Sequence, residues 1–242
     1  MDEPLKDLAG PRLLAGLAST RFGSIEIHAS IDSTQTLLVA EGGRDGRVVV
    51  ADHQTAGRGR AGRSWTDVPG AMLMFSALLR DIPPQRSALV GLAAGVAVAR
   101  AIGGNARLKW PNDVRIGGRK VCGMLSELAP TGDYVVIGIG VNVGHADGDL
   151  PAELEATSLR IASGGTPPRR DDLCASILRE LDALVGADFM DDYRALCETI
   201  GTRVRVDLGG RTLEGTAGSV RDDGALVVDG EAVVAGDVVH VR

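Results

Sequence analysis

The run Gly57-Arg58-Gly59-Arg60-Ala61-Gly62-Arg63 has the residue types of an anion holder. Glycines let backbone N–H groups come close to a ligand, and arginine forks match phosphate and carboxylate oxygens. Two familiar spacings fall within it. Gly57-x-Gly59-x-x-Gly62 satisfies the dinucleotide fingerprint, and Gly57-x-x-x-x-Gly62-Arg63-Ser64 differs from a phosphate-binding P-loop in having Arg where Lys belongs. Both patterns need a helix immediately afterwards, because the helix N-terminus faces the phosphates. Thr66-Asp67-Val68-Pro69-Gly70 is turn chemistry instead. The segment from His53 to Trp65 therefore reads either as a solvated surface loop or, given its three arginines and one tryptophan, as a lid that orders over an anionic ligand.

Lys109-Trp110-Pro111-Asn112-Asp113 is a second polar group, followed by Val114-Arg115-Ile116, a Gly117-Gly118 turn and Arg119-Lys120-Val121. A two-residue hairpin turn sets Ile116 opposite Arg119, Arg115 opposite Lys120 and Asp113 opposite Cys122. Asp113 and Lys120 then become diagonal neighbours on one face, in reach of each other or of a common ligand. The bland alternative is a turn and a solvated edge charge. In Ile137-Gly138-Ile139-Gly140-Val141-Asn142 the period of two gathers Gly138, Gly140 and Asn142 on one side. Bare backbone there suits a bend or bulge, or a flat heterocycle with the Asn142 amide at its edge. Asp32-Ser33-Thr34-Gln35 can cap a helix or present its polar groups to a ligand. The four histidines are scattered and predict no dedicated metal site, and no serine or cysteine nucleophile with a paired base is evident.

The elements that must position these groups follow from periodicity. Residues 4–20 read as a short helical lead, 24–29 as a strand and 33–40 as a helix. Residues 48–51 and 72–79 read as apolar strands, 87–102 as an alanine-rich helix, and 107–143 as three further strands. Helices are expected over 171–185 and 189–199, with a linker-like stretch at 163–168. Beyond Gly201 short β-branched segments separated by Gly and Asp-Gly turns predict a small all-β barrel. The expected organisation is a main domain over 1–199 and a small one over 200–242. No room exists before Ile25 for a helix-turn-helix domain of usual size.

The chain has 242 residues, 44% hydrophobic and 24% charged, with a net charge of -6, so the arginine run is a local positive feature on an acidic background. A small anionic ligand fits that balance better than a nucleic-acid track. Three widely spaced cysteines without a C-x-x-C support neither a disulfide framework nor a zinc site. With no signal-peptide pattern and no membrane-length apolar run, a soluble cytoplasmic protein is expected.

Taken together and in order, Ser33-Thr34-Gln35, Gln54 to Arg63, Lys109 to Asp113, Arg119-Lys120-Val121-Cys122-Gly123 and Gly138 to Asn142 resemble the biotin–protein ligase family over nearly the whole chain. The resemblance implies an α+β catalytic domain with a mixed sheet and flanking helices, similar to class II synthetases, plus an SH3-like C-terminal barrel. It implies ATP and biotin as substrates, Mg²⁺, a biotin carboxyl carrier protein as acceptor, and a biotinyl-5′-AMP intermediate. By position, Ser33, Thr34, Gln35 and Gln54 would contact biotin's ureido ring and valeryl chain. Arg58, Gly59 and Arg60 would fold over biotin and the phosphate. Lys120 would hold the carboxylate, with Gly123 beside it. Arg63, Trp65, Lys109, Asn112 and Asn142 would serve the nucleotide, Trp65 covering adenine and Asn142 reading its edge, with Mg²⁺ near Asn112 and Asp113. Lys120, Arg60 and Asp113 are the catalytic candidates, Asp113 helping to deprotonate the acceptor lysine. Gln35 departs from the family's usual asparagine by one methylene. A lipoate or octanoyl transferase of related fold is the rival enzyme, and a nucleic-acid-binding regulator the rival from another class. No nucleic-acid or membrane partner is expected, and a homodimer is left open.

Overall fold

The computed structural model describes residues 7–241. Two sheets are joined by one continuous apolar core. The first has seven strands: β1 (Ser24–His28), β2 (Arg47–Ala51), β3 (Met72–Arg80), β4 (Ala106–Lys109), β5 (Asp113–Ile116), β6 (Arg119–Leu128) and β7 (Tyr134–Asn142). Their order is β1-β2-β3-β7-β6-β5-β4. Only β1 and β2 pair in parallel, so the sheet is mixed and the chain is of the α+β class.

The helices are α1 (Gly10–Ala15), α2 (Thr34–Glu41), α3 (Pro84–Ser87), α4 (Val90–Ile102), α5 (Leu159–Ser163), α6 (Arg170–Leu184) and α7 (Met190–Leu196). Alternation along β3 explains how they are distributed. Leu73, Phe75, Ala77 and Leu79 enter the large core with α4 and α6, whereas Leu78 joins Leu38 of α2 and Val136 in a smaller cluster. Ser76, on that second face, is fully buried yet polar. Met72, Met74 and Ser76 thus leave one side of the sheet for a site. Among the described residues no helix is long and apolar enough to cross a membrane.

The second sheet contains β8 (Arg203–Asp207), β9 (Thr212–Val220), β10 (Leu226–Val228), β11 (Glu231–Val233) and β12 (Asp237–His240), in the order β11-β10-β9-β8-β12. It is tied to the first by directional contacts. The Trp110 indole donates to Gly224 O at 2.9 Å, and Thr199 Oγ1 both accepts from Trp110 N at 3.0 Å and meets His240 Nε2 at 3.1 Å.

Several expectations are corrected. The 107–143 region holds four strands, because the short polar-alternating β4 pairs with β5. The 87–102 helix is observed as α4, starting at Val90 with the separate short helix α3 just before it, and the 163–168 stretch is preceded by the short helix α5. The helical lead contracts to α1, and positions 4–6 of it lie outside the described residues.

Candidate active site

The register of the β5–β6 hairpin differs from the expected one. Arg115 opposes Lys120 and Ile116 opposes Arg119, but Val114 opposes Cys122 and Asp113 opposes Gly123. Val121 is the extra residue of a β-bulge. Its consequence is that Val121 and Cys122 are both fully buried while Lys120 and Gly123, three residues apart, share the site face. Cys122 is therefore a core residue, its thiol pushed up in pKa by burial. Asp113 and Lys120 do meet: Nζ lies 2.5 Å from Oδ1.

The backbone of Lys120 is held by a separate segment. Lys120 N donates to Glu155 O at 2.8 Å, and Thr157 N donates to Lys120 O at 2.8 Å. Asn112, just before β5, is pinned by reciprocal bonds with Met124: its Nδ2 donates to Met124 O and its own carbonyl accepts from Met124 N, both at 3.0 Å. Its Oδ1 accepts from Arg60 Nη1 at 3.0 Å. Lys109 is half-buried, and desolvation lowers its pKa, an effect that Asp113 opposes.

The glycine face of β7 is filled from within the chain. A Cβ at Gly140 would fall 2.7–2.9 Å from the Trp65 indole, and one at Gly123 2.7 Å from the same ring. The flat heterocycle on this shelf is thus Trp65 itself, its N–H buried without an acceptor and Lys120 Nζ 5.4 Å from its ring centre. A Cβ at Gly138 would fall 2.7 Å from Gln35 Oε1. Asn142 is 6% exposed, and its Nδ2 donates to Thr157 O at 2.9 Å, so part of the amide expected at an adenine edge is spent on the backbone.

Beside Gly138 lies a buried polar set. Ser33 caps α2, its hydroxyl accepting from Thr36 N at 3.3 Å, which turns Thr34 and Gln35 inward. Thr34 Oγ1 lies 2.8 Å from Ser76 Oγ, which donates to Gln35 Oε1 at 3.2 Å. Gln54 Oε1 accepts from Thr34 N at 2.8 Å. The extra methylene of Gln35 carries its Nε2 to Glu127 Oε2 at 2.9 Å and Val136 O at 3.2 Å.

The glycine-arginine segment is folded back on itself. Trp65 N donates to Gly57 O at 2.9 Å and Gly59 N to Arg63 O at 2.7 Å, closing a loop around a 3₁₀ turn at Arg60–Gly62. Ala61 there has φ 53, a left-handed conformation. Gly57 faces Trp65 O, where a Cβ would fall 2.4 Å away, so the crossing requires glycine. No helix intervenes before β3. At its base Asp67 accepts from Gln54 N at 3.2 Å and meets His53 Nδ1 at 3.1 Å.

Each arginine has an acceptor within the chain. Arg58 grips Glu127 through two bonds of 2.9 and 2.7 Å. Arg60 adds Gly236 O at 3.4 Å to its Asn112 bond, and Arg63 reaches Asp237 at 2.8 Å. Burial lowers the Arg60 pKa, although a guanidinium stays charged regardless. The segment thus bridges the first sheet to the turn before β12.

Ser76, Glu127, Asp67, Thr157 and Asp237 were not among the expected residues. Ser76 carried a signal, a lone hydroxyl in an otherwise apolar strand. The others are solvated-looking charges or loop residues whose roles depend on distant partners. Among the described residues no cluster of three or more His, Cys, Asp or Glu could hold a metal ion.

Comparison with known proteins places this geometry. Residues 27–142 match the model of the Biotin/lipoate A/B protein ligase family. The chain is 38% identical to the biotin--[acetyl-CoA-carboxylase] ligase of Mycobacterium tuberculosis, over 93% of this chain and 92% of that protein. It is 29% identical to the bifunctional ligase/repressor BirA of Escherichia coli, over 97% of this chain and 77% of that one. Among solved structures, the biotin protein ligase from Aquifex aeolicus in complex with biotin and ATP superposes with a TM-score of 0.74 at 27% identity, covering 91% of this chain and all of that one. With so high an identity sustained along nearly the full length of both chains, this protein belongs to the biotin–protein ligase family.

Proposed function

We propose that this protein is an ATP-dependent biotin–protein ligase, which activates biotin as biotinyl-5′-AMP and transfers it to a lysine of a biotin carboxyl carrier protein. The observation that carries this reading is the adjacency of two unlike sets of groups along one glycine face. At Gly138 lie the hydroxyls and amides of Thr34, Gln35, Ser76 and Gln54, a donor and acceptor lattice suited to a cyclic urea. At Gly140 and Gly123, one alternate residue further along β7, lie Lys120 and Trp65. A molecule with a ureido ring at one end and a carboxylate at the other spans that pair of sites.

In the first step a biotin carboxylate oxygen forms a bond to the α-phosphorus of ATP, and the bond to the bridging oxygen breaks as pyrophosphate leaves. Both reactants are anionic, so the step needs cations. Lys120 and Arg60 supply them, Lys120 leaving Asp113 for the substrate carboxylate and then for the acyl-phosphate oxygen. Mg²⁺ would come with the nucleotide substrate, near Asn112 and Asp113, and would supply further screening of the triphosphate charge. In the second step the acceptor amine bonds to the acyl carbon and AMP departs. An ordinary lysine has a pKa of about 10.4, so its proton must be removed, and Asp113, freed by movement of Lys120, is the group we assign to take it.

Arg58, Gly59 and Arg60 form the cover over biotin and phosphate, with Arg63, Lys109 and Asn112 toward the nucleotide. Trp65 is the ring that stacks on adenine, which requires it to lift from the glycine shelf it occupies here. Asn142 then lies at the end of that shelf. We read residues 200–242 as a small SH3-like domain beside a catalytic domain of residues 1–199. Three buried free cysteines fit a reducing, cytoplasmic setting. The net charge of -6 argues against a nucleic-acid partner.

Pyrophosphate release tests the reading. Release on mixing the protein with Mg-ATP and biotin, followed by transfer to a carrier domain, is expected; release with lipoate and none with biotin would overturn it in favour of a lipoate ligase.

A further inference from the structure

The pairing of β6 with β7 ends at Cys122 opposite Val141. One turn of the pleat further, where Lys120 needs a neighbour on that side, β7 has run out. Its place is taken by residues 155–157, which form an isolated parallel bridge, Lys120 with Ala156. This strap bonds both main-chain polar groups of Lys120, donating from Thr157 N to Lys120 O and accepting at Glu155 O from Lys120 N, each at 2.8 Å. The strap is not a sheet strand and has no ladder of its own. It enters through Glu155 at φ 45, a left-handed conformation, and leaves into the cap of α5.

Side-chain hydrogen bonds from Ser158 and Asn142 hold its exit. The Ser158 hydroxyl donates to His145 O at 2.7 Å and accepts from Ile161 N at 3.1 Å, fixing its exit. On the other side of Thr157, the last residue of β7 reaches across the gap: Asn142 Nδ2 donates to Thr157 O at 2.9 Å, with both residues buried. The Asn142 amide therefore continues β7 by one rung, in side-chain form, and joins it to the segment that carries the Lys120 backbone.

The geometry points to Asn142 as a positioning residue for Lys120, acting through the Thr157 strap and not through contact with the nucleotide. This deepens the ligase reading and rests on Lys120 being the cation that meets the biotin carboxylate. The long lysine stem begins beside the bulge at Val121, and the strap bonds both main-chain polar groups of Lys120 there. If the strap shifts, the ammonium moves relative to Asp113 and Trp65, and misplacement of about an ångström is enough to cost orders of magnitude in rate.

The test is a double-mutant cycle on pyrophosphate release. Asn142→Asp keeps the shape but replaces the N–H donor by an acceptor facing the Thr157 carbonyl. Its kcat is expected to fall about tenfold or more with the KM for ATP little changed. The ATP-to-ITP preference, which reports reading of the purine edge, is expected to stay as in the wild type. In a Lys120→Ala background the same substitution is expected to cost less than about twofold. Ser158→Ala, which loosens the other anchor, is expected to give the same pattern at smaller size, and carries the test if Asn142→Asp does not fold.

Additive losses in the cycle, or a changed ATP-to-ITP preference with kcat intact, would overturn the inference and return Asn142 to the adenine edge. Failure of the ligase reading looks different: the wild-type protein itself would release no pyrophosphate with biotin.

Discussion

Lys120 Nζ rests 2.5 Å from Asp113 Oδ1, each side chain less than one-third exposed, and the pair sits on the face that Gly123 leaves open. The ammonium is therefore held by an internal carboxylate that a substrate carboxylate can replace. Lys120→Ala is expected to lower adenylate formation by orders of magnitude, to a residual rate still measurable at high enzyme concentration, while leaving the melting temperature within a few degrees, because a partly exposed pair contributes little to stability. Undiminished pyrophosphate release would remove Lys120 from the chemistry.

Arg60 joins the loop to Asn112 Oδ1 and Gly236 O. Arg60→Gly removes both ties and the charge beside the phosphate, and the adenylate is expected to escape, so that bystander lysines become biotinylated. Labelling of an unrelated protein mixed with the variant measures this, and labelling confined to the carrier domain would contradict it.

The glycine shelf gives a steric prediction. In Gly140→Val the branched side chain enters space now held by the Trp65 indole, which is 2.7–2.9 Å from the first added carbon. Trp65 should be expelled toward solvent, with a red-shifted fluorescence measured in a Trp110→Phe background and a KM for ATP raised about tenfold or more. An unshifted spectrum would mean that the shelf is not where the ring rests.

A pH dependence follows from His145 and His240. Burial holds both below their ordinary value of about 6.5, with Lys109 and Arg115 adding repulsion at His240 and Asp149 opposing the shift at His145. The unfolded chain thus takes up protons first as pH falls. Their contribution to stability is complete above about pH 6.5 and is lost as pH drops below it toward the lowered folded-state values. Urea midpoints between pH 8 and 5 are expected to decline, and less steeply in His240→Gln; identical slopes would show that His240 does not contribute.

Glu127 collects Arg58 and Gln35 on one carboxylate. Gln35→Asn retracts the amide by one methylene and should break the Glu127 contact, raising the KM for biotin several-fold while the KM for ATP holds. Equal changes in both would place the effect in the general stability of the fold instead.

How much of this could be read from the chain depends on the range of the interaction. The proximity of Asp113 and Lys120 follows from the Gly117-Gly118 turn, a local signal, and the alternation of Gly138 and Gly140 locates a bare face before any coordinates are known. The bulge at Val121 has no such mark, since an ordinary β-branched residue occupies it, and the expected register places Cys122 where Gly123 stands. Short β4 and α5 leave no mark in the sequence because four or five residues hold too little periodicity. Glu127 and Asp237 look like surface charges until the loop that brings arginines to them is folded. The Asn142 amide stands out in the sequence, but its Thr157 partner lies 15 residues on, past turns whose path no pattern predicts.

Arg58 and Arg63 already hold the carboxylates of Glu127 and Asp237, which makes ligand capture at those two positions an exchange of anions. A substrate oxygen that engages either of them displaces a carboxylate already there, whereas Arg60, bonded to an amide and a main-chain carbonyl oxygen, gains one new charge contact. Attraction between opposite charges is weakened by added salt in proportion to the charge newly neutralised. Recognition here should accordingly be far less sensitive to ionic strength than three arginines in an open loop would suggest, leaving shape and hydrogen-bond pattern, not net charge, to discriminate among small acids.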